Sequence, residues 1–154
     1  MLLLVTLLII GIQDFKERMI YWFLPVLVLL YGSFLFYDVV LIEQFWIAVG
    51  FNFCFILFLL LSIYLYSRYK LKVSLKEALG LGDILLFLAL ACSMNTVSFI
   101  ITLIFSMIFS LSMHLVFKKK STFNTVPLAG YISLFYIFVF LAQWLNLMDS
   151  IYYI

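Results

Sequence analysis

The chain has 154 residues, 68% of them hydrophobic and 10% charged, with a formal net charge of +2 and a mean hydropathy of +1.29. A soluble domain is about half apolar and about a quarter charged, so this composition excludes an ordinary soluble globule and predicts an integral membrane protein. No segment alternates like a barrel strand, which leaves an all-α bundle, read here as one domain over residues 1–154.

Six apolar runs follow in order: 1–13, 21–37, 45–66, 83–92, 97–117 and 126–147. The predicted fold is a bundle of six transmembrane helices joined by short connections. The basic residues test the count. Lys16 and Arg18 lie between the first and second runs, Arg68, Lys70, Lys72 and Lys76 between the third and fourth, and Lys118, Lys119 and Lys120 between the fifth and sixth. All nine Lys and Arg fall in alternate connections and so share one side. The positive-inside rule assigns that side to the cytoplasm and puts both termini outside. One helix more or fewer scrambles the pattern.

Two runs are short. Residues 1–13 give roughly 20 Å of helix at 1.5 Å per residue, against a hydrocarbon core of ~30 Å. Either the helix continues past Asp14 with Lys16 and Arg18 snorkelling, or the bilayer thins locally. The run lacks a basic leading region and an A-x-A site, so it reads as a helix rather than a secretory signal. The fourth run is also short, ending before "SMNT". Both short runs carry an acid at the cytoplasmic end, as a site recessed into the membrane would.

Topology sorts the acids. Asp14, Glu17, Glu77 and Asp83 fall on the cytoplasmic side, and Asp38, Glu43 and Asp149 on the other. Asp14 directly follows one apolar run and Asp83 directly precedes another. They share a membrane depth and meet if helices one and four pack together. Two carboxylates in one desolvated site do not both ionise readily, so one keeps its proton. The ionised member can then activate a water while the other protonates a leaving group. This is aspartic peptide hydrolysis, which needs no cofactor, and the sequence offers no metal-ligand set. Gly80 and Gly82, lacking Cβ, let the backbone turn and approach closely before Asp83. The plainer reading of "GLGD" is a helix start with Asp83 as N-cap.

These residues resemble the two aspartate motifs of the type IV prepilin peptidases, polytopic GxGD-class aspartic proteases of bacterial inner membranes. The first motif matches at Asp14, Lys16, Arg18 and Ile20, within "DFKERMIYWFL". The second matches at Gly80, Gly82 and Asp83, and "TVPLAGYISLF", residues 125–135, is similar to a third family segment. The resemblance implies a short, peptidase-only member with Asp14 and Asp83 catalytic and Gly80 and Gly82 shaping the second motif. It also implies removal of basic leader peptides from pilin-like precursors at the cytoplasmic face, with no nucleic acid involved. Tyr21 stands where the family has Pro, and Leu85 where it has Lys. Lys16 and Arg18 either support the dyad's charge or anchor the helix, and anchoring is favoured. A second likeness, of Tyr37-Asp38, "GLGD" and "PLAG" to the presenilin signature, conflicts with the topology, which sets Asp38 and Asp83 on opposite sides.

The remaining features read as structural. Cys54 and Cys92 lie inside apolar runs without a C-x-x-C and read as small buried hydrophobes. His114 reads as a packing or interfacial residue, Lys118 to Lys120 as a topology anchor, and Trp22, Trp46 and Trp144 as interfacial aromatics. Two rival functions remain: a degenerate homologue acting as a scaffold of a pilus or secretion system, and a small proton-coupled carrier. The absence of internal repeats and the placement of the acids at helix ends weigh against the carrier.

Overall fold

The computed structural model describes residues 1–72, 79–117, 126–147 and 150–152. Lys76, Glu77, Lys118, Lys119, Lys120 and Asp149, assigned to sides above, lie outside the described residues. Six α-helices carry the described chain: α1 (Leu2–Glu17), α2 (Phe23–Val39), α3 (Ile42–Tyr66), α4 (Leu81–Leu90), α5 (Thr96–Phe117) and α6 (Leu128–Trp144). A π-helical turn, Ser67–Leu71, continues α3, and no strand occurs among the described residues.

The helices form where long runs of Leu, Ile, Phe and Val pair their backbone groups within the segment, an arrangement compatible with an apolar medium. Two of them, Ile42–Lys70 with the π turn and Thr96–Phe117, are long and apolar enough to cross a bilayer, and Phe23–Val39, Leu81–Leu90 and Leu128–Trp144 are shorter apolar helices. The helix of the first run does continue past Asp14. Helix α1 runs three residues past Asp14 and stops where Arg18 turns left-handed (φ 57°), its N–H donating to the Asp14 carbonyl at 3.2 Å.

Helix α1 packs chiefly on α6 and also on α2, while α4 packs on α2 and α5 on α6. Small residues allow these approaches. A Cβ on Gly11 would lie 3.1 Å from Oγ of Ser133 on α6, and one on Gly32 would lie 2.8 Å from Cβ of Ser93. On α5, Ser98, Thr102, Ser106 and Ser110 recur every fourth residue and all are buried. Such a stripe of small residues lets a neighbouring helix approach closely, as is common where helices pack in a membrane. The outer surface is apolar, with Phe51, Phe58, Leu111 and Val116 all well exposed.

Helix α4 is too short to run the depth of the bundle, so its C-terminal carbonyls end inside it. The following residues Ala91, Ser93 and Met94 are wholly buried. Orphan carbonyls in such a place need donors. Asn52, buried in the middle of α3, supplies them: its Nδ2 donates to the carbonyls of Ala91 (2.8 Å) and Met94 (3.1 Å). One polar side chain in an apolar run thus ties the turn after the fourth helix to α3.

Candidate active site

Asp14 lies in the last turn of α1 and is 6% exposed. Asp83 lies in the first turn of α4 and is half-buried. It is not the N-cap. That position belongs to Gly80, and Asp83 reaches back from three residues on, Oδ2 accepting the Gly80 N–H at 3.2 Å. A carboxylate there satisfies one of the helix's free donors and complements its positive end.

The two acids do come together, but not through the direct packing of α1 on α4 expected from the sequence. They converge on a third element, the N-terminus of α6. The Gly130 N–H donates to Asp14 Oδ2 at 2.6 Å, and the Ala129 N–H donates to Asp83 Oδ1 at 3.0 Å. Pro127, just before the helix, has no N–H to offer. The next free amides of α6 therefore each take one carboxylate, at the end of the helix that favours negative charge. The carboxyl groups are close enough to interact electrostatically.

The glycines act through closeness alone. None of the described glycines has a positive φ, so the free turning expected at Gly80 and Gly82 is not what the chain uses. A Cβ on Gly82 would sit 2.8 Å from Cβ of Ile20, one on Gly80 would sit 3.1 Å from Asp83 Oδ2, and one on Gly130 would sit 3.1 Å from Asp14 Oδ2 and 3.3 Å from the Phe15 ring. Ile20, after α1, thereby rests on the backbone of Gly82 and ties the two aspartate segments to each other.

Between these segments lies a cavity of about 350 Å³, lined by Asp14, Arg18, Met19, Ile20 and the stretch from Gly80 to Asp83. Arg18 is a lining residue and interacts electrostatically with Asp14. Lys16 is exposed and does not line the cavity. The Tyr21 N–H donates to Oε1 of the buried Gln13 at 3.5 Å, a contact that a proline cannot make. Leu85 is exposed at the rim of its helix, outside the cavity lining.

The other singled-out residues lie elsewhere. Asp38 is exposed at the C-terminal end of α2, beside Phe36 and Val40, which line a separate cavity with Asn95 and Thr96. Asp38 thus sits with the turn after α4, at the opposite end of that helix from Asp83. His114 is in the last turn of α5; Cys92 is buried as expected, whereas Cys54, against expectation, is exposed on α3, both as free thiols. Sequence reasoning missed the amides of Ala129 and Gly130. The segment holding them was marked for its likeness to a family motif without a role, and its only local cue is Pro127 followed by small residues at the start of an apolar run.

A family model described as the type IV leader peptidase family matches residues 1–115 of the chain. The chain belongs to that family, which is one of aspartic-type leader peptidases. The matched stretch contains Asp14, Gly80, Gly82 and Asp83 and ends before α6. No curated protein and no solved structure matches the chain.

Proposed function

We propose that this leader peptidase is a membrane-embedded endopeptidase in which Asp14 and Asp83 form the catalytic pair. The chain is one six-span domain of a bacterial inner membrane, both termini on the outer face and the paired acids at the cytoplasmic one. One carboxylate, ionised, takes a proton from a water as it attacks the scissile carbonyl. The other, protonated, passes its proton to the departing amide nitrogen. The pair titrates jointly, so neither role belongs to one residue by sequence alone. The substrates are prepilin-like precursors, cut after a short leader.

The observation that carries this reading is the shared hold on both acids. Two carboxylates from distant segments are bonded to adjacent amides of one helix start and face one cavity. Holding two carboxylates on neighbouring amides carries mutual repulsion, which favours a joint task over plain capping. The basic residues described at that end, Lys16, Arg18, Arg68, Lys70 and Lys72, support its cytoplasmic orientation. The departure at Tyr21 is compatible with activity, because the Gln13 contact holds the loop there.

The test is co-expression with a pilin-like precursor, read by the precursor's mobility on a gel. Wild type shortens the precursor at the end of its leader. A chain that accumulates in the membrane and shortens none of a panel of such precursors favours instead the reading as a scaffold of a pilus or secretion system.

A further inference from the structure

The third helix ends in a feature that peptide cleavage does not use. Ile42–Lys70 is helical over 29 residues, about 44 Å at 1.5 Å per residue, against a hydrocarbon core of about 30 Å. With the rest of the helix spanning that core, its last turns stand in the headgroup layer. Their side chains are unlike those below. Tyr66, Arg68, Tyr69 and Lys70 are exposed, Tyr69 to 78%. Nη1 of Arg68 donates to the Tyr64 hydroxyl, and the guanidinium carbon lies 5.9 Å from the centre of the same ring. Nζ of Lys70 lies 5.4 Å from the centre of the Tyr66 ring. Exposed Lys72 ends the π turn in a left-handed conformation (φ 57°), its N–H donating to the Ser67 carbonyl.

The pattern is a cationic arm with aromatic backing. From Gln44 to Lys72 the chain has no acidic residue, so the three positive charges meet no opposite charge within their own segment. The helix dipole explains why cations suit a C-terminus. It does not explain why Arg68 and Lys70 each lie along a tyrosine. That arrangement orders two flexible cations in advance and lowers the entropic cost of engaging an anion.

We propose that this arm is a docking surface for anionic phospholipid headgroups of the cytoplasmic leaflet. The lipid phosphate meets Arg68, Lys70 and Lys72, and the tyrosine rings lie against the glycerol region. The inference rests on the membrane placement proposed above but not on the chemistry of the aspartates. Lipid fits better than an acidic peptide. The charges are spread around a convex helix end directly above exposed apolar residues, Leu61 and Leu65, and tyrosine is enriched at that depth of a bilayer.

The test reconstitutes the chain into bilayer discs of equal phosphatidylglycerol and phosphatidylcholine. The protein is extracted in mild detergent, and its retained lipids are counted by native mass spectrometry. Wild type retains phosphatidylglycerol over phosphatidylcholine. Arg68→Gln, Lys70→Gln and Lys72→Gln combined lower that preference, by about fivefold for each charge removed. The charge-keeping combination Arg68→Lys, Lys70→Arg and Lys72→Arg preserves it, and unchanged size on gel filtration shows both variants folded. Equal retention of the two lipids by wild type, or an undiminished preference in the glutamine variant, overturns the lipid site. So does binding of a glutamate-rich peptide through these residues without lipid preference. Failure to enter the discs at all is a different result, and contradicts the membrane placement itself.

Discussion

Gly130 is the residue on which the site's geometry turns. Its amide bonds Asp14, and its missing side chain leaves room for the same carboxylate. Gly130→Ala adds a methyl 3.1 Å from Oδ2 and 3.3 Å from the Phe15 ring, so the carboxylate must shift by some tenths of an ångström. Misplacing a reacting group by about 1 Å costs about a hundredfold in rate, so a shift of a few tenths should cost several- to about tenfold. Steady-state kinetics on a precursor should show the loss in kcat, with thermal stability little changed. Gly82→Ala should act similarly through Ile20, since a Cβ there would lie 2.8 Å from the Ile20 Cβ. Gly50→Ala is the control: nothing lies within 4 Å of its added Cβ, and cleavage should be unaffected.

At the scale of elements, the short fourth helix depends on α3. Asn52 is the donor to two buried carbonyls. Asn52→Ala leaves both without that donor and should destabilise the bundle by about 1–2 kcal/mol. Thermal or detergent unfolding of the purified protein measures it, and an unchanged midpoint contradicts the role. The apolar runs and alternate basic connections of the sequence marked six helices, and six α-helices carry the described residues. Boundaries moved where backbone needs outweigh side-chain pattern. Helix α1 passes Asp14 because an acid at a helix end is tolerated when a partner amide awaits it. Helix α4 begins at Leu81 because Asp83 serves as a first-turn acid rather than as a cap. The meeting of Asp14 and Asp83 was legible from their matched positions at run ends. The element that holds them was not, because backbone amides leave no mark in residue type. Asn52 was unreadable for a related reason: its partners are carbonyls forty residues away, and only the fold reveals them.

At the scale of the molecule, the helix ends sort into two groups. Asp14, the start of α4 and the start of α6 meet at one, while Phe36, Val40, Asn95 and Tyr152 gather at the other. The proposed orientation puts the first in the cytoplasm. With Cys54 and Cys92 replaced by serine, Asp38→Cys should react with a membrane-impermeant maleimide on intact cells, and Lys72→Cys only after permeabilisation. The reverse pattern contradicts the orientation and with it the cytoplasmic cleavage. The central claim is that two carboxylates, bonded to one helix start, act as a single catalytic unit. The measurement that tests it most directly is the cleavage rate of a precursor by Asp14→Asn, by Asp83→Asn and by the double variant, each recovered folded from the membrane. Residues acting as a unit are not additive. Each single variant should lose about 10²–10⁴-fold, and the double variant no more than either. Cleavage persisting in one single variant, or losses that multiply in the double, contradicts the paired mechanism.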